Sequence, residues 1–151
     1  MNAGEPVNPK QSFTVKGQYI KDLSFENPHA PQSLMVAAAK PAIEINVDLK
    51  AQKLQETVFE MTLHIAVRAI ADNTTLFLVD LAYAGIFEVN NVPDTHIEPL
   101  IMIDCPFVLF PFARRVIADV TRDGGFPPLL LDPIDFAALF MQNKGKSGAV
   151  G

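Results

Sequence analysis

From Ser12 onward the chain alternates between apolar and polar residues. Phe13, Val15, Gly17, Tyr19, Leu23 and Phe25 fall on one face of an extended segment. Ser12, Thr14, Lys16, Gln18, Asp22, Ser24 and Glu26 fall on the other, with Ile20 and Lys21 breaking the rhythm. A period of two predicts a half-buried strand. Ile43, Ile45, Val47 and Leu49 repeat the pattern against Glu44, Asn46, Asp48 and Lys50 and predict a second strand. A third runs from about residue 55 to Ala71, with Phe59, Met61, Leu63, Ile65, Val67 and Ala69 inward and Glu60, Thr62, His64 and Arg68 outward. Ala71-Asp72-Asn73-Thr74 reads as a tight turn, because Asp and Asn tolerate the backbone angles it needs. The fourth strand turns Phe77, Val79, Leu81 and Tyr83 inward and Leu76, Leu78, Asp80, Ala82 and Ala84 outward. Strands two to four form an antiparallel meander.

Between the first two strands, residues 27–41 hold three prolines and the apolar run Leu34-Met35-Val36. Proline argues against a regular element, and a long connection with apolar residues predicts a crossover packed over something apolar. After the strands, Pro93-Asp94-Thr95 opens a short helix through Ile101. A long helix follows, starting at Pro106 or Pro111 and stopped by Gly124-Gly125. Asp132-Pro133 reads as the N-cap and first position of the last helix. The expected architecture is α+β: a four-stranded antiparallel sheet with helices packed on one face. Residues 12–143 form a single domain, between a flexible N-terminus at 1–11 and a flexible tail at 144–151.

The long helix is too apolar for a surface helix. Leu109, Phe112, Ala113, Val116, Ile117 and Val120 make one stripe, and Phe107, Val108, Phe110 and Ala118 widen it past half the circumference. Such a helix is either sandwiched or exposed for a purpose. Composition sharpens this: hydrophobic residues are 49% and charged residues 19%, more apolar surface than a 151-residue chain hides inside itself. Helix against helix across a subunit boundary is the simplest way to bury it.

A net charge of −5 argues against nucleic acid, which is held by neutralising phosphates. The first residues contain no apolar signal core, and no apolar run reaches the roughly 18–20 residues that cross a bilayer, so a soluble cytoplasmic protein is expected. A single cysteine, Cys105, fits a reducing compartment and reads as a buried thiol. His29, His64 and His96 have no ligand spacing, and the nucleophile-elbow, Walker and dinucleotide motifs are missing. The expectation is no enzyme, no metal and no cofactor. Two features remain: surplus apolar surface at 34–36, at Phe126-Pro127-Pro128 and on the last helix, and an acidic outer sheet face. There Asp22, Glu26 and Asp80 surround Leu78 if strands one and four are neighbours. Acid around an apolar centre suits a basic, partly apolar partner.

Four blocks carry a resemblance: Y-I-K-D-L-S-F-E-N-P (19–28), F-L-V-D-L-A-Y-A-G-I-F (77–87), C-P-F-V-L-F-P-F-A-R (105–114) and G-G-F-P-P-L-L-L-D-P-I-D-F-A-A-L-F (124–140). In this order, over residues 12–143, the chain resembles the SecB family of bacterial protein-export chaperones. The resemblance implies a homotetramer, a dimer of dimers with helices layered between two sheets. It implies an ATP-independent holdase that keeps secretory precursors unfolded in the cytoplasm and delivers them to the SecA motor. The basic, zinc-bearing end of SecA would dock on Asp22, Glu26, Leu78 and Asp80, where Asp80 stands for the family's usual Glu. Unfolded clients would lie along Leu34, Met35, Phe112, Phe126, Leu139 and Phe140, and Val79, Leu81 and Tyr83 match positions linked to tetramer assembly. The crossover carries Leu-Met-Val-Ala-Ala-Ala where relatives often have an aromatic residue. Lys144 and Lys146 replace the acidic tail that makes a second SecA contact in many members. A chaperone dedicated to one client, such as an antitoxin, is the alternative within the class. A carrier of small apolar ligands and a purely structural oligomer are the alternatives outside it.

Overall fold

A computed structural model describes residues 12–35 and 40–150. The expected flexible segment 1–11, and Val36 with the three alanines after it, lie outside the described residues. Strands β1 (Ser12–Glu26), β2 (Ala42–Gln55), β3 (Val58–Ala71) and β4 (Thr74–Asn90) form one antiparallel sheet in the order β1-β4-β3-β2. A helical turn, α1 (Gln32–Met35), lies in the crossover. The β3–β4 turn places both Asp72 (φ 52) and Asn73 (φ 60) in the left-handed region, the conformation that a two-residue hairpin demands. After the sheet come α2 (Asp94–Pro99), a π-helical turn (Leu100–Asp104), α3 (Cys105–Asp123) and α4 (Phe136–Val150).

The core lies between one sheet face and α3. Leu109, Ala113, Ile117 and Thr121, four residues apart, form a fully buried stripe. They sit on Met61, Leu63, Ile65 and Val67 of β3 and Phe77, Val79, Leu81 and Phe87 of β4. The helix comes close to the sheet at Gly85, where an added Cβ would lie 2.8 Å from Cδ2 of Leu109. Burying each large aliphatic side chain stabilises by about 1.5–3 kcal/mol. That packing carries the helix through Pro111, on its exposed side, where an interior proline costs about 3 kcal/mol.

Strand β1 departs from its sequence pattern. Its register with β4 breaks between Val15 and Gly17 and again between Ile20 and Asp22, leaving Lys16 and Lys21 as extra residues. Each extra residue reverses the alternation. The helix-facing set is therefore Phe13, Val15, Gln18, Ile20, Leu23 and Phe25, the partners of odd-numbered β4 residues. Gly17 and Tyr19, which strict alternation places inside, face out, and Gln18 and Ile20 face the helices. Phe13 stacks on Phe87 at 5.4 Å, and Gln18 Oε1 accepts a hydrogen bond from the Tyr83 hydroxyl at 3.1 Å.

Of the two expected starts of the long helix the structure has Pro106, whereas both ends of α4 differ from expectation. α3 opens at Cys105, with Pro106 in its first turn, straight out of the π-helical turn. α4 is capped by Asp135, whose Oδ1 accepts the Ala138 N–H at 3.0 Å, so Asp132 and Pro133 stay in the preceding loop. The cap belongs where the first unpaired amides point, three residues after the capping carboxylate. The α4 backbone continues as helix through Val150, beyond Asn143 where the sequence pattern ends it.

Candidate functional site

Two surfaces sit on opposite faces of the sheet. On the face away from α3, the β1–β4 register sets Glu26 opposite Leu78, Ser24 opposite Asp80 and Asp22 opposite Ala82. The β3–β4 register sets Arg68 on the other side of Leu78. Ser24, Glu26, Glu44, Arg68, Leu78 and Asp80 line a shallow depression of about 350 Å³. All four residues expected on this face, Asp22, Glu26, Leu78 and Asp80, share it. Asp22 and Glu26 are exposed, and Leu78 and Asp80 are half-buried. His64 Nε2 lies 2.6 Å from Asp80 Oδ1. The surface is thus an apolar centre ringed by carboxylates, with the Arg68 guanidinium and the His64 imidazole beside them.

The same face holds a cluster that strict alternation hides. Glu60 is buried, and its two oxygens accept from the Tyr19 hydroxyl and from Lys21 Nζ, the latter at 2.8 Å. These contacts hold its carboxyl below the usual glutamate range, the Lys21 hydrogen bond contributing most. Burial, reinforced by Glu60, pushes the Tyr19 hydroxyl up to about 12. No sequence signal marks this triad, because Tyr19 reads as inward-facing until the bulges are known.

On the helix side, a groove of about 550 Å³ opens between the crossover, β2 and the loop after α3. Leu34, Pro41, Ile43, Phe77, Phe126 and Pro128 are among its lining residues, with Lys40 at the edge. Phe126 packs on Phe77 with ring centroids 4.9 Å apart, and Phe77 also stacks with Phe25 at 6.0 Å. The groove wall is tied down by polar groups. Ser33 donates to Asn27 Oδ1 at 2.8 Å, and Asn27 donates to the Gly124 carbonyl at 3.2 Å. Thr121 Oγ1 accepts the Leu129 N–H at 2.9 Å. At Gly125, φ is +97°, and an added Cβ would lie 2.9 Å from Leu34, so this turn and that close approach both require glycine. Asn27, Ser33 and Thr121 were not singled out from the sequence, since only the fold brings them to the groove.

Of the six residues expected to touch clients, Leu34 and Phe126 line this groove and Met35, 78% exposed, adjoins it. Phe112 lies elsewhere, on α3 beside Tyr83 at 6.5 Å. Leu139 packs against the core and Phe140 is buried, so α4 turns both inward within the protomer. Val79, Leu81 and Tyr83 are also internal, at 2%, 0% and 7% exposure. Their side chains lie under the protomer's own helical layer, which covers that face of the sheet. Cys105 is buried, and burial raises its thiol to about 12, so it is protonated and inert near neutrality. Among the described residues no group of three or more His, Cys, Asp or Glu is placed to hold a metal, and no helix is long and apolar enough to cross a membrane.

The family model for the preprotein translocase subunit SecB matches residues 7–147. The protein-export protein SecB of Rhodopseudomonas palustris (strain HaA2) is 53% identical over 139 residues, which cover 92% of this chain and 87% of that protein. That of Bartonella quintana (strain Toulouse) is 49% identical over 141 residues, covering 93% and 86%. Among solved structures, the Mycobacterium tuberculosis Rv1957 SecB-like chaperone, in complex with a ChAD peptide from the Rv1956 HigA1 antitoxin, matches with a TM-score of 0.68. That likeness covers 81% of this chain and 90% of that one at 14% identity, and it is a likeness of fold.

Proposed function

The chain belongs to the SecB family of protein-export chaperones, and from that premise we propose that it is an ATP-independent holdase of the cytoplasm that delivers unfolded secretory precursors to SecA. The observation that carries this reading is the separation of two surfaces across one sheet: an apolar groove on the helix side and the Leu78 depression on the other. A client and a motor can then be held together without competing for one site. Clients are extended segments rich in apolar side chains, bound weakly along Leu34, Met35 and Phe126, with several grooves of an oligomer adding avidity. SecA docks through a basic, partly apolar segment on Asp22, Glu26, Leu78 and Asp80.

The protomer leaves apolar surface that supports assembly as a dimer of dimers. Phe107 on α3 is 68% exposed, and Ile20 on the helix-facing side of β1 is 47% exposed. Both side chains are available for burial against a second copy of the chain. Val79, Leu81 and Tyr83 act on assembly through α3, whose seat they form. About 50% identity with export chaperones over most of the chain, against 14% with the antitoxin-bound relative, favours general export over a single dedicated client.

The test is a titration of the purified protein with SecA in the presence and absence of a chemically unfolded precursor. The expected result is slowed aggregation at stoichiometric chaperone and SecA binding that persists with client bound. Failure to slow aggregation overturns the holdase reading, and displacement of client by SecA through direct competition overturns the two-surface arrangement.

A further inference from the structure

We propose that Glu60 is a positioning residue that locks the second β1 bulge and thereby aims Asp22 at the partner face; this rests on the reading of that face as the SecA dock. The reasoning begins with register. A side chain's face in a strand is fixed by its pairing, and a one-residue slip turns every following side chain over. Between Ile20 and Asp22 the pairing with β4 skips Lys21. Asp22, directly after the bulge, owes its outward direction to that skipped residue.

Bulge residues lack a ladder partner and are held by what their side chains reach. Both bulges of β1 carry a lysine at the extra position, and each lysine meets a glutamate from another strand. Lys16 pairs with Glu88 of β4 at 3.3 Å, and Lys21 with Glu60 of β3 at 2.8 Å. The second clamp is the stronger. Glu88 is 31% exposed at its side chain and Glu60 only 11%, and Glu60 also accepts from Tyr19, two residues before the bulge lysine. Tyr19 and Lys21 therefore grip one buried carboxylate from either side of Ile20. They reach it diagonally across β4, where Tyr19 pairs with the fully buried Ala84 and Glu60 with Ile86. Phe25 holds the strand beyond the bulge by its packing, whereas Asp22 and Leu23 are exposed, and Asp22 is the first residue to pair again after the bulge, opposite Ala82.

Charge alone predicts the opposite of positioning, which makes the idea testable. Lys21→Met adds net negative charge to the face and removes the clamp. Positioning predicts that Lys21→Met and Glu60→Gln in the full-length oligomer each weaken SecA binding about fivefold, with non-additive losses when combined with Asp22→Asn. Lys21→Arg retains binding, client affinity stays unchanged, and the amides of Lys21 and Asp22 exchange faster in both weakened variants. Tighter SecA binding by Lys21→Met, or unchanged amide exchange in Glu60→Gln, overturns the proposal. If Asp80→Lys leaves SecA binding intact, the docking reading itself fails; the amide exchange still decides whether Glu60 fixes the bulge.

Discussion

His64 Nε2 and Asp80 Oδ1 are 2.6 Å apart on the outer face of the sheet, across the β3–β4 pair. The carboxylate expected to meet a basic partner is thus already engaged by a side chain of its own protein. A docking cation must compete with His64 for it. Exposed pairs of this kind contribute only about 0.2–1 kcal/mol, so the competition is modest. His64→Ala is expected to strengthen SecA binding about twofold, and Asp80→Lys to weaken it at least about tenfold. Isothermal titration of each variant checks both, and client binding should not change.

Exposure separates two ways of disturbing assembly. Phe107 is 68% exposed on α3, whereas Tyr83 is buried under that helix and donates to Gln18. Phe107→Asp should shift the proposed tetramer towards smaller species with little change in protomer stability. Tyr83→Asp should do so while also destabilising the fold by about 3 kcal/mol, since it buries an unpaired charge. Light scattering read beside urea midpoints distinguishes them, and an intact tetramer in both would remove this face from the interface.

The end of α3 is packed against β1 too tightly for a side chain. A Cβ at Gly124 would fall 2.2 Å from the Phe25 ring. Gly124→Val should cost about 2 kcal/mol through overpacking and displace the groove wall formed by Leu34 and Phe126. A lowered denaturation midpoint together with weaker client binding is the expected result.

Stability should fall at both pH extremes for identifiable reasons. Glu60 is lowered from its ordinary 4.5 by Lys21 first and Tyr19 next. A carboxyl lowered on folding stabilises at pH above its unfolded value and loses that contribution as pH falls through the folded one. Glu60→Gln should therefore flatten the acid limb below pH 4.5. Tyr19 is raised from 10.0 and Cys105 from 9.0, each to about 12, with burial the largest cause in both. A group raised on folding stabilises fully below its unfolded value and loses that as pH rises through the folded one. Cys105→Ala and Tyr19→Phe should soften the decline that begins above pH 9 and pH 10 respectively. Urea midpoints measured across pH check each limb.

Strands β3 and β4 were legible over most of their length, the exception being Leu76, which alternation turns outward but which lies in the core at 7% exposure, because the β3–β4 register shifts between Ala69 and Ile70 and leaves it as the extra residue. Met61 to Ala69 and Phe77 to Tyr83 face the core as their spacing predicts. The outer face was legible too, since Asp22 and Glu26 follow the last bulge and keep the even-numbered direction that pairs them with Ala82 and Leu78. The middle of β1 was not. Ile20 and Lys21 broke the alternation, but a break in pattern does not say where the extra residue sits.

The amino-acid sequence by itself determined the four strands, the Asp72-Asn73 turn, the glycine stop after α3, the family and the residues of the acidic face. These follow from local backbone preference and periodicity, which travel with the residues. Tertiary structure alone decided that Tyr19 faces outward to meet Glu60 and Lys21, that Phe140 is internal, and that Asp135 caps α4. Each of these depends on the register between residues far apart in the chain. Local pattern does not encode that register: in β1 it is set by the pairing with β4, where two extra lysines are held by glutamates from other strands.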